Sequence, residues 1–416
     1  MTAKSLPAQP FTPAVAETDS PTNPTNPINP MPDRFDMDQV MTIVGGHAMH
    51  DAFSAFLSPL LPILRTMLGA NIATTGSLAI FLQLGSLFNP LIGYMADKVS
   101  VRYFVILAPA ITATLMSSLG LVNSYTFLVV MLLATGISVA AFHAPAPAMV
   151  ARVSGRQTGR GMSFFMGGGE LGRTFGPILA ALAVTWWGLE GMWRLAALGW
   201  LTSAVLYWRL KDLPGRSPEQ KSGSMRDLWG RAKGFYLILT LVLLPRAFME
   251  AALTTYLPIF MQDVRMADLW LYSSALTILQ GAGVVGALAS GTLSDNWGRR
   301  KILLLLLGTS PLFLIAFLYS PTWLGIPLLL IVGFTTLSPT PVLLALVQDQ
   351  FPDNRAVANG LFLTLSFLIR AVAIGAVGSW ADSYGLVMAF LFSAVLAIFS
   401  VPGIFLLPKG RGWLVS

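Results

Sequence analysis

Gly93-Tyr-Met-Ala-Asp97-Lys-Val-Ser-Val-Arg102 and Gly291-Thr-Leu-Ser-Asp295-Asn-Trp-Gly298-Arg299-Arg300-Lys301 say nearly the same thing twice. Each lies where one long apolar stretch ends and the next begins. The two aspartates are 295 − 97 = 198 positions apart, close to half of the 416 residues. A repeat of that length in a strongly apolar chain means two membrane-embedded halves built alike, an arrangement that points to transport rather than catalysis.

The composition agrees. The chain is 55% hydrophobic and 11% charged, whereas a soluble domain carries roughly 25% charged residues. Mean hydropathy is +0.68, so most of the surface cannot face water. The net charge of +7 does not point to nucleic acid, because the basic residues cluster between apolar segments, as the positive-inside rule expects. The absence of cysteine excludes a disulfide, a thiolate metal site and a cysteine nucleophile.

Twelve apolar segments follow one another, each long enough to cross a bilayer as a helix. Segments 1 to 6 are 40–64, 73–96, 103–121, 126–149, 160–184 and 192–209; segments 7 to 12 are 235–260, 270–294, 302–319, 323–347, 356–381 and 385–407. Barrel strands would need short alternating segments, which are absent. The expected fold is an all-α membrane protein of twelve transmembrane helices in two six-helix halves, 39–209 and 235–408. Residues 1–38, with the run Pro21-Thr-Asn-Pro-Thr-Asn-Pro-Ile-Asn-Pro30, are expected to be a disordered tail and not a cleavable signal peptide. Residues 210–234 read as a polar linker and 409–416 as a second tail.

Lys98, Arg102, Arg152, Arg156, Arg160, Arg299, Arg300, Lys301 and Arg355 share one set of loops, and the linker adds seven more basic residues between Arg209 and Lys233. The alternate loops hold only Arg65, Arg194 and Arg265. This asymmetry puts the basic loops, the linker and both termini in the cytoplasm, with the chain multi-pass in the cell (inner) membrane.

The repeated loop resembles the signature of the major facilitator superfamily between helices 2–3 and 8–9. Its second copy is close to that pattern; in the first, Ser100 and Val101 replace a glycine and an arginine. Three further stretches resemble the fosmidomycin-resistance-type efflux proteins of that superfamily: Gly46-His47-Ala-Met-His50-Asp51 with Leu61-Pro62; Ala141-Phe142-His143 with Pro145; and Arg160-Gly-Met-Ser163 running through Gly167-Gly-Gly-Glu170-Leu-Gly172 to Gly176-Pro177. Gly172, Gly176 and Pro177 also look like the helix 5 motif of drug–proton antiporters, while Leu132 stands where those proteins commonly carry an arginine. The resemblance implies proton-driven export of a small molecule, and a gating role for Gly93, Asp97, Arg102, Gly291, Asp295, Gly298, Arg299 and Arg300.

Charges inside apolar segments are costly, about 2.5–3.5 kcal/mol each at mid-membrane, so they mark function. Segment 1 carries His47, His50 and Asp51; segment 4 His143; segment 5 Glu170 and Arg173; segment 7 Arg246 and Glu250; segment 11 Arg370. Aligning Leu61-Pro62-Ile63 with Leu257-Pro258-Ile259 sets His50 opposite Arg246, and 370 − 173 = 197 sets Arg173 opposite Arg370. In a parallel-repeat transporter such groups meet between the halves. Arg370, Arg246, Arg173, His50 and His143 are the candidates to bind substrate. Asp51, Glu250, Glu170 and His47 are the candidates to carry protons, since arginine cannot deprotonate. Glu170 with Arg173 and Arg246 with Glu250 have the spacing of local ion pairs. Arg370 has no acid within a turn, so its partner must be another helix or an anionic substrate. His47 and His50 lack a clear third and fourth ligand, so no metal is expected. No phosphate loop or nucleophile elbow occurs, which leaves neither ATP hydrolysis nor enzyme chemistry, and no cofactor.

The reading is a proton-coupled secondary transporter exporting a small organic molecule by alternating access. Uptake of an organic anion is the alternative, since three buried arginines suit one. A non-transporting receptor is the alternative from another class. The expected partners are substrate, protons and lipid, with no nucleic acid and a monomeric state.

Overall fold

The computed structural model describes residues 35–88, 92, 102–213, 225–351 and 355–408. Residues 1–34 of the first tail, the second tail, most of the first loop motif (Gly93 and Asp97 included) and the middle of the linker lie outside them, and the last residues of the expected first tail, Met37 and Asp38, already belong to the first helix. The described chain is almost wholly helical, as it must be where lipid offers the backbone no hydrogen bonds.

Each expected segment meets a helix whose start and stop follow from local residues. Segment 1 begins at Met37, capped by Asp36, whose side chain accepts from the Gln39 N–H at 3.0 Å. Asn71 caps Ile72–Leu84 and Asp268 caps Leu269–Trp297 in the same way, each at 2.8 Å. Gly298, at φ 93°, breaks the chain between Leu269–Trp297 and Arg299–Tyr319; a side chain there would be strained. Segment 7 starts earlier than its apolar pattern: its helix runs from Met225, inside the polar linker, to Ala251. Helical hydrogen bonding, unlike hydropathy, does not stop at the membrane edge.

Eight helices among the described residues are long and apolar enough to cross a membrane. Segments 1, 2, 5 and 6 fall short for visible reasons. Segment 1 carries buried ionisable groups and is divided into Met37–Ser54 and Leu57–Leu68. Segment 2 is described only in part. Segment 5, within Thr158–Gly191, carries Glu170 and Arg173. Segment 6 is the 15-residue helix Ala196–Leu210 after a short 3₁₀ turn. The outward faces show large apolar side chains, with Trp186, Trp187 and Trp193 exposed near one end of the bundle and Trp208 and Trp297 near the other, the girdle expected of a membrane protein.

The central helices approach closely through small residues. A Cβ added at Gly172 would run into the Ala48 carbonyl, and one at Gly176 would lie 2.5 Å from the Ala52 carbonyl. The helix 5 motif is thus a flat face for segment 1, the small-residue packing typical of membrane helices.

The halves meet along segments 2 and 11 and segments 5 and 8. At one end the seam is tied. Arg65 pairs with Asp263. Asp382 accepts from the N–H groups of Ile72 and Ala73 at 2.8 and 2.9 Å, capping a helix of the other half. Tyr256 fits against Gly76 and Gly378, where a Cβ on either glycine would strike its hydroxyl group, and it donates to the Ile374 carbonyl at 2.8 Å. This tied end lies opposite the basic loops.

Candidate functional site

The first helices of both halves lose regularity at matching places. Segment 1 breaks at Ala55 and Phe56, and segment 7 passes through a π-turn at Ala252–Tyr256. Each break lies just before its Leu-Pro pair, Leu61-Pro62 and Leu257-Pro258. Such turns recur at functional sites because they redirect side chains and loosen the backbone ladder.

Beside these breaks lies a cavity of about 250 Å³. One half lines it with Ser54, Ser58, Gln83, Arg173 and Pro177, the other with Thr254, Gln280, Phe367 and Arg370. Arg173 and Arg370 therefore face one space from opposite halves. Gln83 and Gln280 escaped sequence reasoning, which weighed charge alone. Their spacing, 280 − 83 = 197, is the offset that relates the two arginines and would have found them.

Behind the cavity wall each half holds an ion cluster. In the first, Arg173 Nη1 donates to Asp51 Oδ2 at 2.8 Å, and its Nη2 donates to Glu170. Asp51 is 1% exposed and lies 3.3 Å from both His47 Nε2 and His143 Nε2. Phe165 stacks on His47 at 4.0 Å between ring centres, and Phe142 lies at 5.4 Å. A Cβ at Gly169 would collide with His47 and sit 3.0 Å from Asp51 Oδ2, so that glycine leaves room for the cluster. In the second half, Glu250 lies between two guanidinium groups, 3.1 Å from Arg246 and 3.2 Å from Arg370. Thr254 accepts from Arg370 and Thr340 from Arg246, both at 2.8 Å.

Arg370 thus finds its acid on another helix: Glu250 of segment 7, four residues from Arg246. Of the two partners that the sequence left open, another helix or a substrate anion, the first is present, because helices distant in sequence pack side by side. The local pairs Glu170–Arg173 and Arg246–Glu250 do form. Three substrate candidates stay off the cavity wall. Arg246 is buried among Glu250, Thr340 and the Thr336 carbonyl; His143 turns to Asp51; His50 is fully buried and stacks on Phe142 at 4.6 Å. His47 takes up His143 and Asp51 rather than His50, and donor atoms of these three lie within 4.8 Å of one another.

The loop motif sits at the far end of the bundle. Arg299 lies 2.6 Å from Asp295 and 3.3 Å from Asp349, and it donates to Ser294 Oγ at 2.6 Å. Arg300 donates to the Phe405 carbonyl. In the first half, Arg102 donates to the Leu213 carbonyl at 2.8 Å. The Arg299 and Arg300 contacts stay within the second half, and Arg102 ties the first half to the start of the linker. Gly291 has open space where a Cβ would stand.

Known proteins share this plan. The family model described as Major Facilitator Superfamily matches residues 43–374 and 271–415. The chain is 25% identical over 380 residues to the fosmidomycin resistance protein of Escherichia coli (strain K12), covering 88% of this chain and 91% of that protein. It is 26% identical over 375 residues to a probable 4-methylmuconolactone transporter of Cupriavidus pinatubonensis, covering 86% of each. Among solved structures, a bacterial homolog of the human lysosomal transporter Spinster, in an inward-facing and unoccupied conformation, superposes with TM-score 0.74 at 14% identity over 88% of this chain and 96% of its own. A D-xylose-proton symporter superposes with TM-score 0.70 at 13% identity, over 89% and 97%. With the family model spanning most of the sequence and the fold matching solved transporters, the chain belongs to the major facilitator superfamily and is a multi-pass membrane transporter, not an enzyme.

Proposed function

We propose that the protein moves a small organic molecule, with an anionic group, through the cavity between its halves, driven by exchange for protons. The observation that carries this is the convergence of Arg173 and Arg370 on one space, each tied to a carboxylate that a substrate anion can displace. Forked guanidinium donors suit carboxylate, phosphate or phosphonate groups. Export follows the likeness to a resistance protein. The tied seam lies opposite the basic loops, so the cavity of this conformation opens to the cytoplasm if those loops, and both termini, are cytoplasmic. The protein works as a monomer in the cell (inner) membrane. Asp295, Arg299, Arg300 and Arg102 brace the helix ends during alternating access.

One observation favours uptake as a second reading. Arg173 bridges Asp51 and the cavity, so a proton held by the buried cluster would leave its charge available to an anion in the cavity, and the two would travel together. Reconstituted vesicles with pH gradients of either sign separate the readings. Accumulation on the acidic side supports export by antiport, accumulation on the alkaline side supports symport, and rates blind to the gradient overturn proton coupling.

A further inference from the structure

His47 and His143 both spend Nδ1 on a main-chain carbonyl: Phe165 O at 2.8 Å and Val139 O at 2.9 Å. A carbonyl oxygen only accepts, so each Nδ1 bears a proton, and in a neutral imidazole that leaves Nε2 as a bare lone pair. Yet the two Nε2 atoms face each other at 3.2 Å, and Asp51 holds one oxygen 3.3 Å from each. Asp51 Oδ1, fully buried, has no other hydrogen-bond partner among the described residues. Lone pairs aimed at one buried point repel unless a cation stands there.

The charge balance chooses the cation. Asp51 and Glu170 carry two negative charges against one on Arg173, a surplus of −1. One proton cancels it, whereas a divalent metal would leave +1 in a site of low dielectric, where uncompensated charge is costly. Among the described residues, no other charged side chain pairs with the cluster. Segment 4 contributes Phe142 beside His143, segment 5 contributes Phe165, Glu170 and Arg173, and segment 1 adds His50, its ring centre 5.6 Å from that of His143.

We propose that a single proton is shared between His47 Nε2 and His143 Nε2 against Asp51, and that this is the ion whose movement drives transport. The second clause rests on the proton-coupled function proposed above; the first stands on geometry alone. Arg173 links the site to the cavity, since it donates to Asp51 at 2.8 Å and also lines the cavity wall.

The chain has only three histidines, so histidine-selective nitrogen-15 labelling in nanodiscs reads the site directly. At neutral pH the expected spectrum shows two imidazoles with protonated Nδ1 and one further proton spread over both Nε2 atoms. His47→Gln and His143→Gln should each remove the shared signal and also abolish gradient-driven accumulation. Neutral imidazoles at both His47 and His143 overturn the assignment, as does stoichiometric zinc in the purified protein that His143→Gln removes. If either variant fails to fold, the wild-type spectrum and metal content still decide. A shared proton in a transporter whose rates ignore pH gradients would keep the cluster and sink the coupled function. Neutral imidazoles in a gradient-driven transporter would do the reverse.

Discussion

In the first half Asp51 sits among His47, His143, Glu170 and Arg173; in the second, Glu250 sits between Arg246 and Arg370, with Thr340 close by. The halves descend from one plan: Arg173 matches Arg370, and His143 matches Thr340, since 340 − 143 = 197. Their charges have diverged. The first cluster holds two acids, one arginine and two titratable rings, a surplus of −1 before any proton; the second holds two arginines and one acid, a surplus of +1. A surplus negative charge beside histidines suits a proton. A surplus positive charge made of arginine, which does not deprotonate, suits an anion. On the function proposed above, substitution at matching positions of two like scaffolds would suit each to a different ion.

Asp51→Asn attacks this division hardest. It takes the carboxylate from two imidazoles and Arg173 at once. With no carboxylate to hold the proton, gradient-driven accumulation should be lost, while substrate exchange across the membrane persists. If Glu250→Gln gives that phenotype and Asp51→Asn does not, the proton belongs to the second half.

Arg370→Ala should be next in size. Charge-assisted hydrogen bonds are worth about 1.5–3 kcal/mol, so affinity for an anionic substrate should drop about 30-fold by isothermal titration. Arg370→Lys should lie between, keeping charge and losing the fork. Folding should survive, because Arg246 remains to neutralise Glu250. Normal binding by Arg370→Ala would remove the anion from the second half.

Gln83→Ala and Gln280→Ala sharpen the comparison. Each removes a neutral hydrogen bond worth about 1 kcal/mol, about a fivefold loss of affinity. Equal losses mean that the substrate straddles the seam. Loss in Gln280→Ala alone places it against the arginine-rich half, and loss in Gln83→Ala alone contradicts the division.

The smallest effect is expected from Asp295→Asn. Its aspartate is 64% exposed, and exposed ion pairs contribute about 0.2–1 kcal/mol. Turnover should slow about two- to threefold with substrate affinity unchanged. A large affinity loss would carry the site from mid-membrane to the loop.

The spans, the duplication and most of the charged inventory are legible in the sequence, because each is a local property. An apolar run declares a helix by the cost of its backbone in lipid, and a repeat declares itself by spacing. So the pairs Glu170–Arg173 and Arg246–Glu250, one turn apart on their helices, were readable. The pairing of Arg370 with Glu250 was not, since 370 − 250 = 120 positions separate them, and which helices become neighbours depends on packing. Nor was the meeting of His47 with His143, made possible by the aromatic stack and by the bare backbone of Gly169. Gln83 and Gln280 stand between these cases: the repeat spacing marks them, but only the folded cavity gives them a use. The sequence by itself determined that the chain crosses the membrane in two like halves and which groups it carries there at a cost. The tertiary structure decided which of those charges neutralise one another, because Coulomb and hydrogen-bond energies depend on distances in space that sequence spacing specifies only within a single helix.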